Sequence, residues 1–360
     1  VKSLEKKKIA IVCDWIKDWG AELVLSHILE IFPNADIYTS IFYQENPVFE
    51  HSITTSFIQK IPILNKSHKL ALTLRPQAFE GFDLSSYDIV ISSSSAESKV
   101  ITKPDCLQIC YCHTPTRYFW SHYEEYLSMM EFGILNPLKW LMPKMIHKLR
   151  AWDFIAAQRP DFFIANSKNT QRIQKYYQRD SQVIYPAVDI SEFPLTENKD
   201  YYLAVRCIPY KKFDLLVDTF NKNGKKIMLV TNTDNALYRN LKKISNNNIT
   251  WKLNLSRPEI IKLYANAKCF VFPPEEDFLV PVEAQACGTP VISYVALETV
   301  VENKTGIFFD AQTTQSLQKA IDQFESMTFD AKIIREHAES FDKSIFQQKL
   351  LDFIHQHLPR

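Results

Sequence analysis

The sequence predicts an α/β protein built from two doubly wound parallel sheets, one per domain. Three observations carry this. Apolar runs without polar alternation recur along the chain, helical periodicity separates them, and the pattern restarts after a polar stretch near the middle. Uninterrupted apolar runs mark strands covered on both faces by helices, and helices between such strands imply right-handed crossovers. At 360 residues the chain is long for one core and suits two domains of roughly 150–200 residues.

The first half begins with the strand KIAIVCDW, and the helix from Gly20 to Ile31 follows, with Leu23, Val24, Ile28 and Leu29 on one face. ADIYTS, Tyr87 to Ser95, Leu107 to Thr114, Phe162 to Ser167 and Gln182 to Pro186 read as further strands. Ala187 to Asp200 is polar, contains a proline and lacks periodicity, so it is expected to be a linker. Alternation then restarts. Strands YYLAV, KIMLV, ITWKL, KCFVFP and PVISY are separated by helices Lys212–Phe220, Ala236–Ile244, Pro258–Ala265 and Val282–Cys287. The tail, Ser344–His357, has apolar residues at helical spacing: Ile345, Phe346, Leu350, Leu351 and Ile354. Ligands of open α/β sheets bind at the carboxyl ends of the strands, so two such sheets are expected to offer those ends to a cleft.

Composition narrows the function. The net charge is +1 and 46% of residues are apolar; nucleic-acid binding usually shows as a basic excess, so no nucleic-acid partner is expected. No apolar run reaches the ~20 residues needed to cross a bilayer. The N-terminus runs from lysines into a strand without a signal-peptide pattern. The seven cysteines have no metal-ligand spacing, and Cys13, Cys110, Cys112 and Cys269 lie in strand-like runs. They are expected to be reduced core residues of a cytoplasmic protein.

Four places carry candidate chemistry, all at strand ends. In RCIPYKK, Arg206 and Lys211 lie five apart across a Pro-Tyr turn. A planar guanidinium fork and a mobile ammonium suit a diphosphate; two solvated surface cations are the alternative. In PPEEDFLVPVEAQACGTPVI, Glu275, Glu276 and Asp277 follow a strand and Glu283 lies on the next helix, which is expected to begin near Val280 or Pro281. Backbone N–H groups at that helix start favour an anion, and the carboxylates can accept hydrogen bonds from sugar or ribose hydroxyls. Plain acidic capping, worth ~0.3–1 kcal/mol, is the alternative. His113 ends a first-domain strand before Thr-Pro, where a satisfied structural histidine is the alternative. Gly20 in DWGAE would let the backbone approach a ligand, but one glycine makes no phosphate fingerprint.

Taken in order, IVCDW…WGAELVL, FPNADIYTS, SYDIVISSSSA, ICYCHTPTRYFW, FIANSKNTQRIQKYY, VIYPAVDI, YYLAV, IPYKKFDL, FPPEEDF, PVEAQACGTPVI and ALETVVENKTGIFF resemble the retaining, nucleotide-sugar-dependent glycosyltransferases of family 4. Within these the chain is similar to the bacterial mannosyltransferase-like branch that builds cell-surface polysaccharide. The likeness spans nearly the whole chain. It implies the GT-B fold, two Rossmann-like domains facing a cleft. Residues 1–190 would form an acceptor-side domain and 191–340 a nucleotide-sugar domain, with 341–360 a helix returning to the first. It also implies roles. Arg206 and Lys211 would hold the donor diphosphate, Glu283 the ribose hydroxyls, and the first glutamate of a pair separated by seven residues the donor sugar. His113 would lie near the anomeric centre and Glu298 in a phosphate-side loop. Gly20, Glu275, Phe278, Leu279 and Val280 complete the expected donor contacts.

The chain departs from that pattern consistently. It has six glycines where average usage would give about 25. Glycines are absent beside Gly20, near Lys99–Val100, before Arg206, after Phe278 and before ALETV. The expectation is a longer natural chain that carries them. As the sequence stands Glu275 has seven residues before Glu283; with a glycine after Phe278, Glu276 would, and Glu276 is the residue expected to act.

The expected reaction is transfer of a hexose, mannose favoured, from a nucleotide diphosphate sugar to a hydroxyl of a glycan or lipid-linked acceptor, with retention. GDP-mannose is the favoured donor over UDP-sugars. No cofactor or metal is expected, since preorganised cations and helix amides can stabilise the leaving charge. Asn136–Phe154, in which Lys139, Lys144, Lys148 and Arg150 alternate with Trp140, Leu141, Met145 and Leu149, would give peripheral contact with the inner face of a membrane, or form an ordinary packing helix with a basic face. Two other functions stay open. A non-catalytic two-lobed sugar-nucleotide binder would not need His113, and a glycoside hydrolase would leave Arg206 and Lys211 unexplained.

Overall fold

The computed structural model describes all residues except 1–3, 5, 17–20, 44–51, 67–69, 122, 125–141, 197–199, 276–278, 296–297 and 359–360. The chain divides into two compact units, Val1–Tyr185 with Gln347–Arg360, and Pro186–Phe346.

The first unit holds a seven-stranded parallel sheet ordered β3-β2-β1-β4-β5-β6-β7. Its strands are β1 Ile9–Cys13, β2 Asp36–Thr39, β3 Ile53–Thr55, β4 Ile89–Ser94, β5 Leu107–Cys112, β6 Phe162–Ala165 and β7 Ser181–Val183. Ala10 pairs with Asp36 on one side and Val90 on the other. β1, β4 and β5 are buried along their whole length, which is why they read as apolar or small-residue runs, Gln108 of β5 excepted. β3 is absent from the sequence reading because it is a three-residue edge strand with an exposed Thr54 and a half-buried Thr55. Helices α1 Ala21–Ile31, α2 Arg75–Glu80, α3 Met142–Ala156 and α4 Ile173–Tyr177 complete the unit.

The second unit holds a six-stranded parallel sheet ordered β10-β9-β8-β11-β12-β13. In chain order its elements are β8 Tyr201–Val205, α5 Phe213–Asn223, β9 Ile227–Thr231, α6 Ala236–Ile244, β10 Ile249–Leu253, α7 Arg257–Asn266 and β11 Ala267–Phe272. Then come α8 Leu279–Ala286, β12 Val291–Tyr294, β13 Gly306–Phe309, α9 Thr314–Glu325 and α10 Ala331–Glu339. Local chemistry sets the helix starts. Ser256 and Glu259 form a capping box at α7, with Pro258 in its first turn, and the Asn235 side chain accepts from Tyr238 N at α6. Gly306 opens β13 because a Cβ there would lie 2.1 Å from the Val291 carbonyl oxygen.

Ala187–Thr196, expected to be part of a linker, packs against the rest of the second unit. Val188, Ile190 and Phe193 are buried, and the Arg335 guanidinium donates to the carbonyls of Ile190 (3.2 Å) and Phe193. The last helix, α11 Lys343–His357, leaves the second unit, and from Gln347 onward it belongs to the first. There Gln347 donates to Glu30 (3.0 Å) and the His357 ring packs 3.9 Å from that of Phe162.

All seven cysteines are free and buried, as expected of core residues. Among the described residues no helix is long and apolar enough to cross a membrane.

Candidate functional site

In each sheet the strand order reverses beside the first strand of the unit, at β1/β4 and at β8/β11. Such switch points open a crevice at the carboxyl ends of the strands. In the second unit, β8, β11 and β12 are parallel neighbours, so the three loops leaving their carboxyl ends lie side by side. These loops carry Arg206–Lys211, Pro273–Glu275 and Glu298.

Arg206 follows β8 directly and has a left-handed backbone, φ 67°. Its N–H still donates to Val230 O, 2.9 Å away on β9, so the turn is held by the sheet. Lys211 closes a short 3-10 turn, Pro209–Lys211. It is 1% exposed, and its Nζ lies 5.4 Å from the centroid of the Phe272 ring, the last residue of β11. A solvated surface cation is therefore the wrong description of Lys211. The ammonium is buried against the last residue of the strand that precedes Pro273–Glu275 in the chain.

Glu275 is exposed, whereas Glu276 and Phe278 lie outside the described residues. α8 starts at Leu279, one residue ahead of the expected Val280. Leu279 is half-buried and Val280 fully buried, so both stand in the first turn, where backbone N–H groups have no intrahelical partner. Glu283 is buried mid-helix and not a capping acid. It accepts from Arg257 Nη1 at 3.2 Å and Tyr264 Oη at 3.1 Å. Glu298 is half-buried in the turn after β12. The next residue ties that turn to α8, because Gln285 Nε2 donates to Thr299 O at 2.7 Å. Arg206, Lys211, Glu275, Leu279, Val280, Glu283 and Glu298 thus follow the carboxyl ends of three neighbouring strands of one sheet.

His113 belongs to the first unit, just beyond β5. Its Nε2 lies 2.8 Å from Ser93 Oγ, and its carbonyl accepts from Thr170. Burial, helped by the nearby Arg117 charge, pushes its pKa down to about 4, so the imidazole is neutral at physiological pH. Gly20 lies outside the described residues.

A buried charge network at the first sheet's switch point escaped the sequence reading. Asp14, beyond β1, accepts from the backbone N–H groups of Ser95 (2.6 Å) and Ser98 (2.8 Å) beyond β4. Arg75 Nη2 meets Glu97 at 3.1 Å, and Tyr118 donates to the same carboxylate. Lys99 meets Asp153 at 3.0 Å, and Asp153 also accepts from Trp120 and Tyr177, each at 2.8 Å. Burial pushes the Glu97 carboxyl up to about 7 despite Arg75. Burial disfavours the Lys99 charge too, but Asp153 together with Tyr177, Cys110 and Cys112 more than offsets it, and the Lys99 pKa rises. The available signal was Glu97 and Lys99 in SSSSAESKV, charges set between two buried strands.

Of the expected basic helix, residues 136–141 lie outside the described residues. In α3, Met142, Ile146 and Leu149 pack against Phe119, while Lys144 and Lys148 are exposed. Arg150 is not on the outer face; it donates to Phe119 O and lies over the Tyr123 ring. Among the described residues no group of three or more His, Cys, Asp or Glu is placed to hold a metal.

Residues 189–343 match the family model of glycosyl transferases group 1. This stretch falls within the second unit and carries the loops just described. The fold is that of sucrose-phosphate synthase from Thermosynechococcus elongatus, with a TM-score of 0.74 at 15% identity over 98% of this chain and 99% of that one. Anabaena HepE in complex with UDP and glucose gives a TM-score of 0.71 at 15% identity, covering 97% and 99%. The lipopolysaccharide outer core galactosyltransferase WaaB, in its apo form, gives 0.63 at 15% identity, covering 97% and 99%. The two parallel sheets of seven and six strands are those of the GT-B architecture. Among curated proteins none matches the sequence.

Proposed function

We propose that the protein is a retaining, metal-independent hexosyltransferase. It would move mannose from GDP-mannose, in preference to a UDP-sugar, to a hydroxyl of a glycan or lipid-linked acceptor in surface polysaccharide synthesis. The observation that carries this reading is the buried Lys211 beside Phe272, at the head of the acidic run, in a stretch matching group 1 glycosyl transferases. A buried ammonium on the loop after β8, with Glu275 on the loop after the neighbouring strand β11, suits a ligand that is anionic at one end and rich in hydroxyls at the other. HepE, described with UDP and glucose and with UDP-glucose, supports a nucleotide-sugar donor.

Each residue then has a task. Arg206 and Lys211 take up the charge that grows on the departing diphosphate, as preorganised donors do, and the first N–H groups of α8 add to this. Glu283 accepts from ribose hydroxyls. Glu276, with Glu275 beside it, accepts from the donor sugar, and Glu298 lines the phosphate-side loop. By the family likeness neutral His113 would act near the anomeric centre, and Gly20 would contact the donor. A lipid-linked acceptor on the inner face of a membrane suits the exposed Lys144 and Lys148.

The test is a thermal-shift and transfer panel of GDP-mannose, UDP-glucose and UDP-galactose. A donor at 100 times its dissociation constant stabilises by about 2.7 kcal/mol. Stabilisation by none of them overturns the reading; stabilisation without transfer to any acceptor, and with His113→Ala unchanged, points to a binder instead.

A further inference from the structure

We propose that Arg257 is a positioning residue for Glu283, setting the orientation in which that carboxylate accepts from the ribose of the donor; this rests on the nucleotide-sugar reading above. Glu283 is 7% exposed, and one donor reaches each of its oxygens. Arg257 Nη1 lies 3.2 Å from Oε1 and Tyr264 Oη 3.1 Å from Oε2. A carboxylate has about four acceptor sites, so each oxygen keeps one lone pair. Two remaining acceptors side by side suit two vicinal hydroxyls.

Arg257 and Tyr264 sit on α7, two turns apart, and face α8 across the β11 crossover. Arg257 is itself fixed on its other edge. Its Nη2 and Nε lie 2.7 and 2.9 Å from Glu192 Oε2, and its guanidinium carbon stands 5.7 Å from the Phe193 ring centroid. Glu192 and Phe193 belong to the segment that Arg335 holds. The guanidinium is thus a planar fork with one edge on a fixed anchor and the other on Glu283, which a lysine point charge cannot reproduce.

The experiment measures binding of UDP, GDP and their 2′-deoxy counterparts by calorimetry. The proteins are wild type, Arg257→Met, Arg257→Lys, Tyr264→Phe, Glu283→Gln and the Arg257→Met/Glu283→Gln double variant. Wild type is expected to prefer the ribonucleotide. Arg257→Met should weaken ribonucleotide binding about ten-fold, the loss of one charge-assisted contact, and shrink the ribo-over-deoxy preference. Tyr264→Phe, which opens no cavity, should do so to a lesser degree. The double variant should be no weaker than Glu283→Gln alone, because Arg257 acts through Glu283. Unchanged ribo-over-deoxy preference in Arg257→Met and Tyr264→Phe, or penalties that add in the double variant, overturns the positioning role while leaving the donor reading intact. Binding of neither nucleotide by wild type overturns both.

Discussion

Lys211 stands over Phe272, its ammonium 5.4 Å from the ring centroid and almost wholly out of water. The contact joins the loop after β8 to the carboxyl end of β11, its neighbour in the sheet. A cation buried on an aromatic face gains from the ring quadrupole.

Lys211→Met keeps the stem packed on Phe272 and removes the charge. Transfer from the donor that stabilises the protein should fall by about 10²–10³, as for loss of one charge-stabilising donor. The melting temperature should change little. Initial rates at saturating donor check this, and a rate equal to wild type sinks the leaving-group role.

His113 has a pKa near 4 because it is buried and faces the Arg117 charge. The folded protein therefore holds it neutral while the unfolded chain protonates near 6.5. Its contribution to stability is present above about 6.5 and is lost as pH falls toward 4. The rate should show no inflection from His113 between pH 5 and 8. His113→Ala should bind donor like wild type and lose transfer, read by calorimetry beside a pH–rate profile.

Glu97 runs the other way. Burial lifts its carboxyl from 4.5 to about 7, so the native state keeps the proton more tightly than the unfolded chain. The stability it contributes is complete below about 4.5 and is lost as pH rises through 7. Urea unfolding of wild type and Glu97→Gln across this range should show wild type losing ground to the variant with rising pH. A difference independent of pH would show that Glu97 is ionised throughout.

Val295 takes φ 54° although it is β-branched, and its N–H donates to Phe309 O at 3.0 Å. Left-handed backbone costs a non-glycine residue about 1–2 kcal/mol. Val295→Gly relieves that cost and loses little packing, since the side chain is 39% exposed. The glycine's greater freedom in the unfolded chain offsets part of the gain. The expected net stabilisation is about 1 kcal/mol, read from the denaturation midpoint; a lower midpoint contradicts the account. Arg206 is the parallel case beside β8. Both stand where the family likeness places a glycine, and the chain bends there without one.

The alternation of strands and helices was legible in the residues, because a strand covered on both faces reads as an apolar run, as β1 and β8 do from end to end and β11 and β12 do but for Lys268 and Ser293. Charged stretches at strand ends were legible too, since RCIPYKK and PPEEDF each follow an apolar run. Tertiary structure alone decided which charges are buried. Arg75 finds Glu97 22 residues away, Lys99 finds Asp153 54 residues away, and Arg257 finds Glu283 26 residues away. Spacings of that size belong to no helix or strand period, so only the folded sheet order brings the partners together. The edge strand β3 went unread for a related reason: three residues paired on one side carry too little apolar pattern to show before the sheet exists.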